Sequence, residues 1–200
     1  TRMLQDRDRH DEKLPLVLLV GTGSTVESTD GLGLLGVYGA RRVVIDAATA
    51  DEEVADVSEV LVDGGESGEL STGALAANVA AAVNADVRDD LVHLPAVSYW
   101  EHTPDAYVQA AEDAGYDADR VREMREAVAL EAYYQSYQDK RELITDLLFD
   151  DGGGLAGHVS EQFRIKLDTE VETAEADPET REAGGVHFAV LDTDSYTHRF

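Results

Sequence analysis

Leu14-Pro15-Leu16-Val17-Leu18-Leu19-Val20-Gly21-Thr22-Gly23-Ser24-Thr25 and then Arg41-Arg42-Val43-Val44-Ile45-Asp46 are the stretches whose reading decides the fold. The first is a continuous apolar run of strand length that ends in a glycine turn. Such a run predicts a strand buried on both faces, as in a parallel sheet. The second reads as another buried strand, closed by an acid. Between them Gly31 to Tyr38 suits a short helix. Ser58-Glu59-Val60-Leu61-Val62 reads as a third strand, and Thr72 to Val83 as an Ala-rich helix capped by Ser71 or Thr72. Strand, turn, helix and strand in this order predict an α/β fold, a parallel sheet flanked by helices.

After His93 the character changes. Pro104 to Ala114, Asp117 to Tyr137, Asp139 to Phe149 and Leu155 to Ala176 all carry helical patterning, and Val121, Met124, Val128, Tyr134 and Tyr137 recur at helical spacing. Val186-His187-Phe188-Ala189-Val190-Leu191 returns to strand. The expected organisation is a linker or truncated N-terminal part over 1–13, an α/β core over 14–100, a helical segment over 101–185, and the start of a C-terminal domain over 186–200. No repeat of solenoid length is present.

The 200 residues carry 16 Lys+Arg against 42 Asp+Glu, a formal charge of −26. Phosphates would be repelled, so non-specific adhesion to nucleic acid or to an anionic membrane is disfavoured. Acid is spread along the whole chain, and 13 of the 16 basic residues are Arg. That distribution suits a carboxylate-solvated surface in high salt, where a Debye length of about 3 Å screens self-repulsion. The alternative is an ordinary acidic protein with an acidic partner-binding face. A hydrophobic fraction of 43% is enough to build a core. Absence of Cys excludes disulfides, thiolate metal sites and a Cys nucleophile. Without a long apolar run or a signal-peptide pattern, a soluble, cytoplasmic protein is expected.

Few motifs point to chemistry. Gly21-Thr22-Gly23 follows a strand and Asp46 closes the next, which mimics a dinucleotide fingerprint, but Val26 stands where the third glycine belongs. Gly31-x-Gly33-x-x-Gly36 has the full spacing without a strand before it. A nucleotide-binding module is therefore one alternative and a plain glycine turn the other. The six His never pair at i, i+4, which disfavours zinc hydrolysis. His93, ahead of Pro95, reads as structural, and Glu101-His102 as a solvated loop or a weak metal site. Tyr133, Tyr134 and Tyr137 suit core packing better than base stacking, because no basic residues interleave with them. Arg120, Arg122 and Arg125 form a small basic face that Glu123 and Glu126 neutralise.

Three stretches carry a family resemblance: Leu18-Leu19-Val20-Gly21-Thr22-Gly23-Ser24-Thr25, Tyr38-Gly39-Ala40-Arg41-Arg42-Val43-Val44-Ile45-Asp46-Ala47-Ala48, and Leu191-Asp192-Thr193-Asp194-Ser195-Tyr196-Thr197-His198-Arg199-Phe200. They are similar to the DHH phosphoesterase superfamily, in particular to archaeal, haloarchaeal RecJ-like single-strand exonucleases. Ser71-Thr72-Gly73 to Ala82 and His93-Leu94-Pro95-Ala96-Val97 sit where such proteins have comparable sequence. The resemblance implies the DHH fold and a centre of two divalent metals, usually manganese, held by Asp and His at strand ends. At those positions this chain departs from the family. Gly21 stands for an Asp, Asp46-Ala47-Ala48 for the Asp-His-His triplet, and Glu101 and His102 lie near a further Asp that is replaced. A glycine-rich strand-gripping motif is absent; Gly152-Gly153-Gly154-Leu155-Ala156-Gly157-His158 reads as a loop. The expectation is a catalytically degenerate protein with no catalytic residues, no cofactor, Asp46 as a vestigial ligand and Glu101 and His102 as weak ones. What the resemblance implies is an interaction or scaffold role in DNA replication or repair, with a protein partner such as GINS. The alternative is an active manganese- or magnesium-dependent exonuclease or phosphoesterase, with Asp46, Glu101 and His102 around one metal.

Overall fold

A computed structural model describes residues 15–65, 70–133, 141–149, 154–176 and 181–188. It divides into two compact units, Thr1–Gly115 and Tyr116–Phe200. The helix after Pro104 falls in the first of these units.

The first unit is built on a parallel sheet of β1 (Leu16–Val20), β2 (Arg41–Asp46) and β3 (Val60–Asp63), in that spatial order. Helix α1 (Thr29–Val37) connects β1 to β2, and α2 (Glu52–Val57) connects β2 to β3. Register places Leu19, Val44 and Leu61 in one row across the strands. That row meets Leu32 of α1 and Val54 of α2 in a core where Leu32, Val44 and Val54 are at most 1% exposed. Each such side chain contributes about 1.5–3 kcal/mol relative to an exposed one. Helix α3 (Thr72–Val83) packs against β2, whose Ile45 is buried. Ser71 is its cap and accepts a hydrogen bond from Ala74 N–H at 3.0 Å. Short helices α4 (Arg88–Leu91) and α5 (Leu94–Val97) and then α6 (Asp105–Asp113) complete the unit.

One expectation is overturned. β1 is not buried on both faces: Leu16, Leu18 and Val20 are 58%, 54% and 50% exposed. Among the described residues β1 is an edge strand of the three-stranded sheet, and its Leu19 packs into the core with α1 and α2. A continuous apolar run reports the chemistry of both faces but not what covers them.

In the second unit α9 (Leu155–Glu175) packs along α7 (Ala118–Tyr133), with α8 (Arg141–Leu148) against both. Val121, Met124, Ala127 and Leu130 of α7 are buried at a three-residue spacing, with Leu147, Ala156 and Phe163. The basic face of α7 is engaged internally. Arg122 pairs with Asp119 at 2.7 Å, Arg164 with Glu126 at 2.8 Å, and Arg120 lies 4.5 Å over the Tyr116 ring. β5 (Val186–Phe188) pairs antiparallel with β4 (Arg181–Ala183), a partner the sequence reading did not anticipate. Gly184 and Gly185, at φ +62° and +78°, make the two-residue turn between them. The readings of 1–13, Tyr134, Tyr137, Gly152-Gly153 and Leu191 to Phe200 lie outside the described residues. Among the described residues no helix is long and apolar enough to cross a membrane.

Candidate functional site

In an open parallel sheet the chemistry belongs at the carboxyl ends of the strands, where the connecting loops converge. Here those ends are Gly21 after β1, Asp46 of β2 and Asp63 of β3, and the last two face each other in register. Each aspartate turns its chain in the same way. Asp46 Oδ1 accepts from Ala48 N–H at 3.2 Å, and Asp63 Oδ1 accepts from Gly65 N–H at 3.3 Å. A carboxylate reaching the amide two residues on is an Asx turn, and it halts a strand.

The second oxygen of each carboxylate is also engaged. Asp46 Oδ2 accepts from the buried Ser24 hydroxyl at 2.8 Å. Asp63 Oδ2 accepts from Ala50 N–H at 3.2 Å. Around them the three strand-end loops are laced together. Asp51 N–H donates to Ser24 O at 2.9 Å, Val26 N–H to Asp51 Oδ2 at 2.7 Å, Thr49 Oγ1 to Gly65 O at 2.7 Å, and Ala47 N–H to Thr72 Oγ1 at 3.0 Å. The loops touch so closely that a Cβ on Gly64 would fall 2.0 Å from Ala47 O, so only glycine fits there.

The dinucleotide readings fare differently from one another. Gly31, Gly33 and Gly36 lie inside α1, not in a strand-to-helix turn, so that spacing is a coincidence of helix composition. Gly21 and Gly23 do turn the chain after β1, at φ +68° and +94°. Asp46, which would meet a ribose in that motif, is 8% exposed and bonded to Ser24.

Glu101 and His102 lie on a different loop from the aspartates. Both are exposed, on the segment between α5 and α6, and they line a groove of about 810 Å³ with Leu70, Tyr99, Trp100 and Asp105. His102 holds φ +54°, the only non-glycine residue with positive φ among the described residues. Tyr99 is buried and its hydroxyl accepts from Ser71 N–H at 3.1 Å, which ties the groove wall to the start of α3. Ser71 and Ser98 hydroxyls also bond to each other across the groove wall. His93 lies in the core, 0% exposed.

No family model matches the chain. A solved structure described as the DHH domain of PF0399, a member of a family of ribosomal proteins, superposes on the whole chain with a TM-score of 0.80 at 25% identity. This chain has a DHH-domain fold. It covers 50% of that solved chain. It is also 25% identical over 232 aligned positions to the uncharacterized protein MJ1198 of Methanocaldococcus jannaschii, where the match takes in 98% of this chain and 30% of the relative. The chain therefore spans half or less of either protein's length.

A DHH fold implies a divalent-metal centre, and the residues at these strand ends do not fit one. Gly21, Ala47 and Ala48 have no side-chain donor, which leaves Asp46 and Asp63 as the carboxylates these strand ends offer, too few for two hard cations. Among the described residues no three His, Asp or Glu are grouped to hold a metal, so Asp46, Glu101 and His102 do not come together. Sequence reasoning missed Asp63 by ending its third strand at Val62. The signal was there: Asp63-Gly64-Gly65, like Asp46-Ala47-Ala48, is an aspartate followed by two small residues at a strand end. It also missed the Ser24–Asp46 bond and the groove beside Trp100, which join residues from separate loops.

Proposed function

We propose that this chain is a catalytically inert, RecJ-like DHH domain that works through contacts with other macromolecules, as a scaffold in DNA replication or repair. One observation carries the reading. The carboxylates left at the strand ends are used to tie loops together, and the positions beside them bear Gly and Ala. Two-metal hydrolysis of a phosphodiester needs ions that generate the nucleophile and clamp both apical oxygens. Two aspartates flanked by Gly and Ala offer too few oxygens for two hard cations, each of which takes about six ligands.

The test is turnover. The chain, in molar KCl with millimolar Mn²⁺ or Mg²⁺, is incubated with single-stranded DNA and with a small phosphodiester. The reading expects no release above a metal-only blank. Hydrolysis that disappears in Asp46→Asn would establish the active phosphoesterase instead.

A further inference from the structure

The inert reading leaves open which surface makes contact, and resting on that reading we infer that the groove between Leu70 and Asp105 seats a basic peptide segment of a partner protein. Three features of the groove point to this occupant. Its apolar side is Leu70, Pro104 and the indole of Trp100, which is 59% exposed. Large, half-exposed tryptophans are the side chains that most often anchor protein interfaces. Its charged side is Glu101 and Asp105, both exposed, and among the described residues no Lys or Arg lines it. The Glu101 and Asp105 carboxylates, with the His102 imidazole beside them, favour a cation over a phosphate at close range. An arginine or lysine entering the groove meets carboxylates and an indole face together, and a cation over tryptophan gains further attraction. A segment alternating basic and apolar residues matches both sides at once.

The wall is also held in place. Tyr99 and Ser98 are bonded to Ser71 at the start of α3, so Trp100 and Glu101 leave a fixed point rather than a free loop. Less ordering is then needed on binding.

Trp100 is the sole tryptophan of the chain, so its fluorescence reports on the groove. A capped Arg-Leu-Arg-Leu-Arg-Leu peptide is titrated into the full chain, with a Glu-Leu repeat and oligo-dT as comparisons. The inference expects a saturable change with the Arg-Leu peptide alone. Glu101→Gln with Asp105→Asn should weaken it about tenfold or more, while Glu52→Gln with Glu53→Gln, on exposed α2 positions outside the groove, should leave it unchanged. Glu101→Gln alone lies outside any helix and keeps the test valid if the change at the start of α6 unfolds the chain, as circular dichroism would reveal. Equal weakening in both acidic pairs, no saturable change, or a Trp100 response to oligo-dT would overturn the inference. None of these readouts depends on metal, so failure here leaves the inert-site reading standing, and turnover in the metal assay would remove that reading without using the peptide.

Discussion

Asp46 holds two strand-end loops together. Its oxygens accept from Ser24 and Ala48, and at 8% exposure it joins the β1 loop to the end of β2. Asp46→Ala leaves the buried Ser24 hydroxyl without its acceptor. The expected cost is about 1–3 kcal/mol, read as a lower denaturant midpoint with an unchanged slope. A neutral substitution would mean that the loops do not rely on this carboxylate. Glu59 offers a second residue-scale check. Its carboxylate accepts from the Arg42 side chain and the Arg42 N–H, and these bonds lower its pKa from 4.5 to about 2. A depressed carboxyl stabilises the fold above its unfolded value and loses that contribution as pH falls through the folded one. The stability gap between the protein and Glu59→Gln should therefore be full near neutrality and close as pH falls from 4.5 toward about 2. A gap that stays constant over that window would contradict the assignment.

The elements follow closely from local pattern where one segment decides its own fate. β2 falls on Arg41–Asp46 as read, and α3 begins at Thr72 behind its Ser71 cap. Ser71→Ala should cost about 1 kcal/mol in thermal or chemical unfolding, and more if the Ser98 contact is lost with it. Leu32→Ala, at the centre of the α1–α2 core, should cost about 2–5 kcal/mol, and a cost within error of zero would place the core elsewhere. What local pattern did not carry was pairing. Nothing in Leu16-Val17-Leu18-Leu19-Val20 tells an edge strand from a central one, because edge position depends on which strands lie beside it. Asp46 was legible as a strand-end acid, but its bond to Ser24 joins residues far apart in sequence and needs the parallel crossover to bring them together. The Trp100 groove was missed for the same reason: its wall is closed by Ser71, on another loop.

At the scale of the whole molecule, charge sets the conditions under which the fold is stable. With −26 spread over 200 residues, like charges oppose compaction unless they are screened. The melting temperature should rise steadily as KCl increases from about 0.1 M toward molar concentrations, where the Debye length shrinks to about 3 Å. A flat or falling curve would identify the acid as an ordinary binding surface rather than a salt-adapted one. The same salt suppresses diffuse attraction of cations to the surface, which makes the strand-end site measurable by itself. Calorimetric titration of Mn²⁺ in molar KCl into the native chain and into the triple variant Gly21→Asp, Ala47→His, Ala48→His is the most direct measurement of the central claim. The account predicts no saturable heat for the native chain and a gain of binding in the variant. Stoichiometric binding by the native chain that vanishes in Asp46→Asn would contradict it.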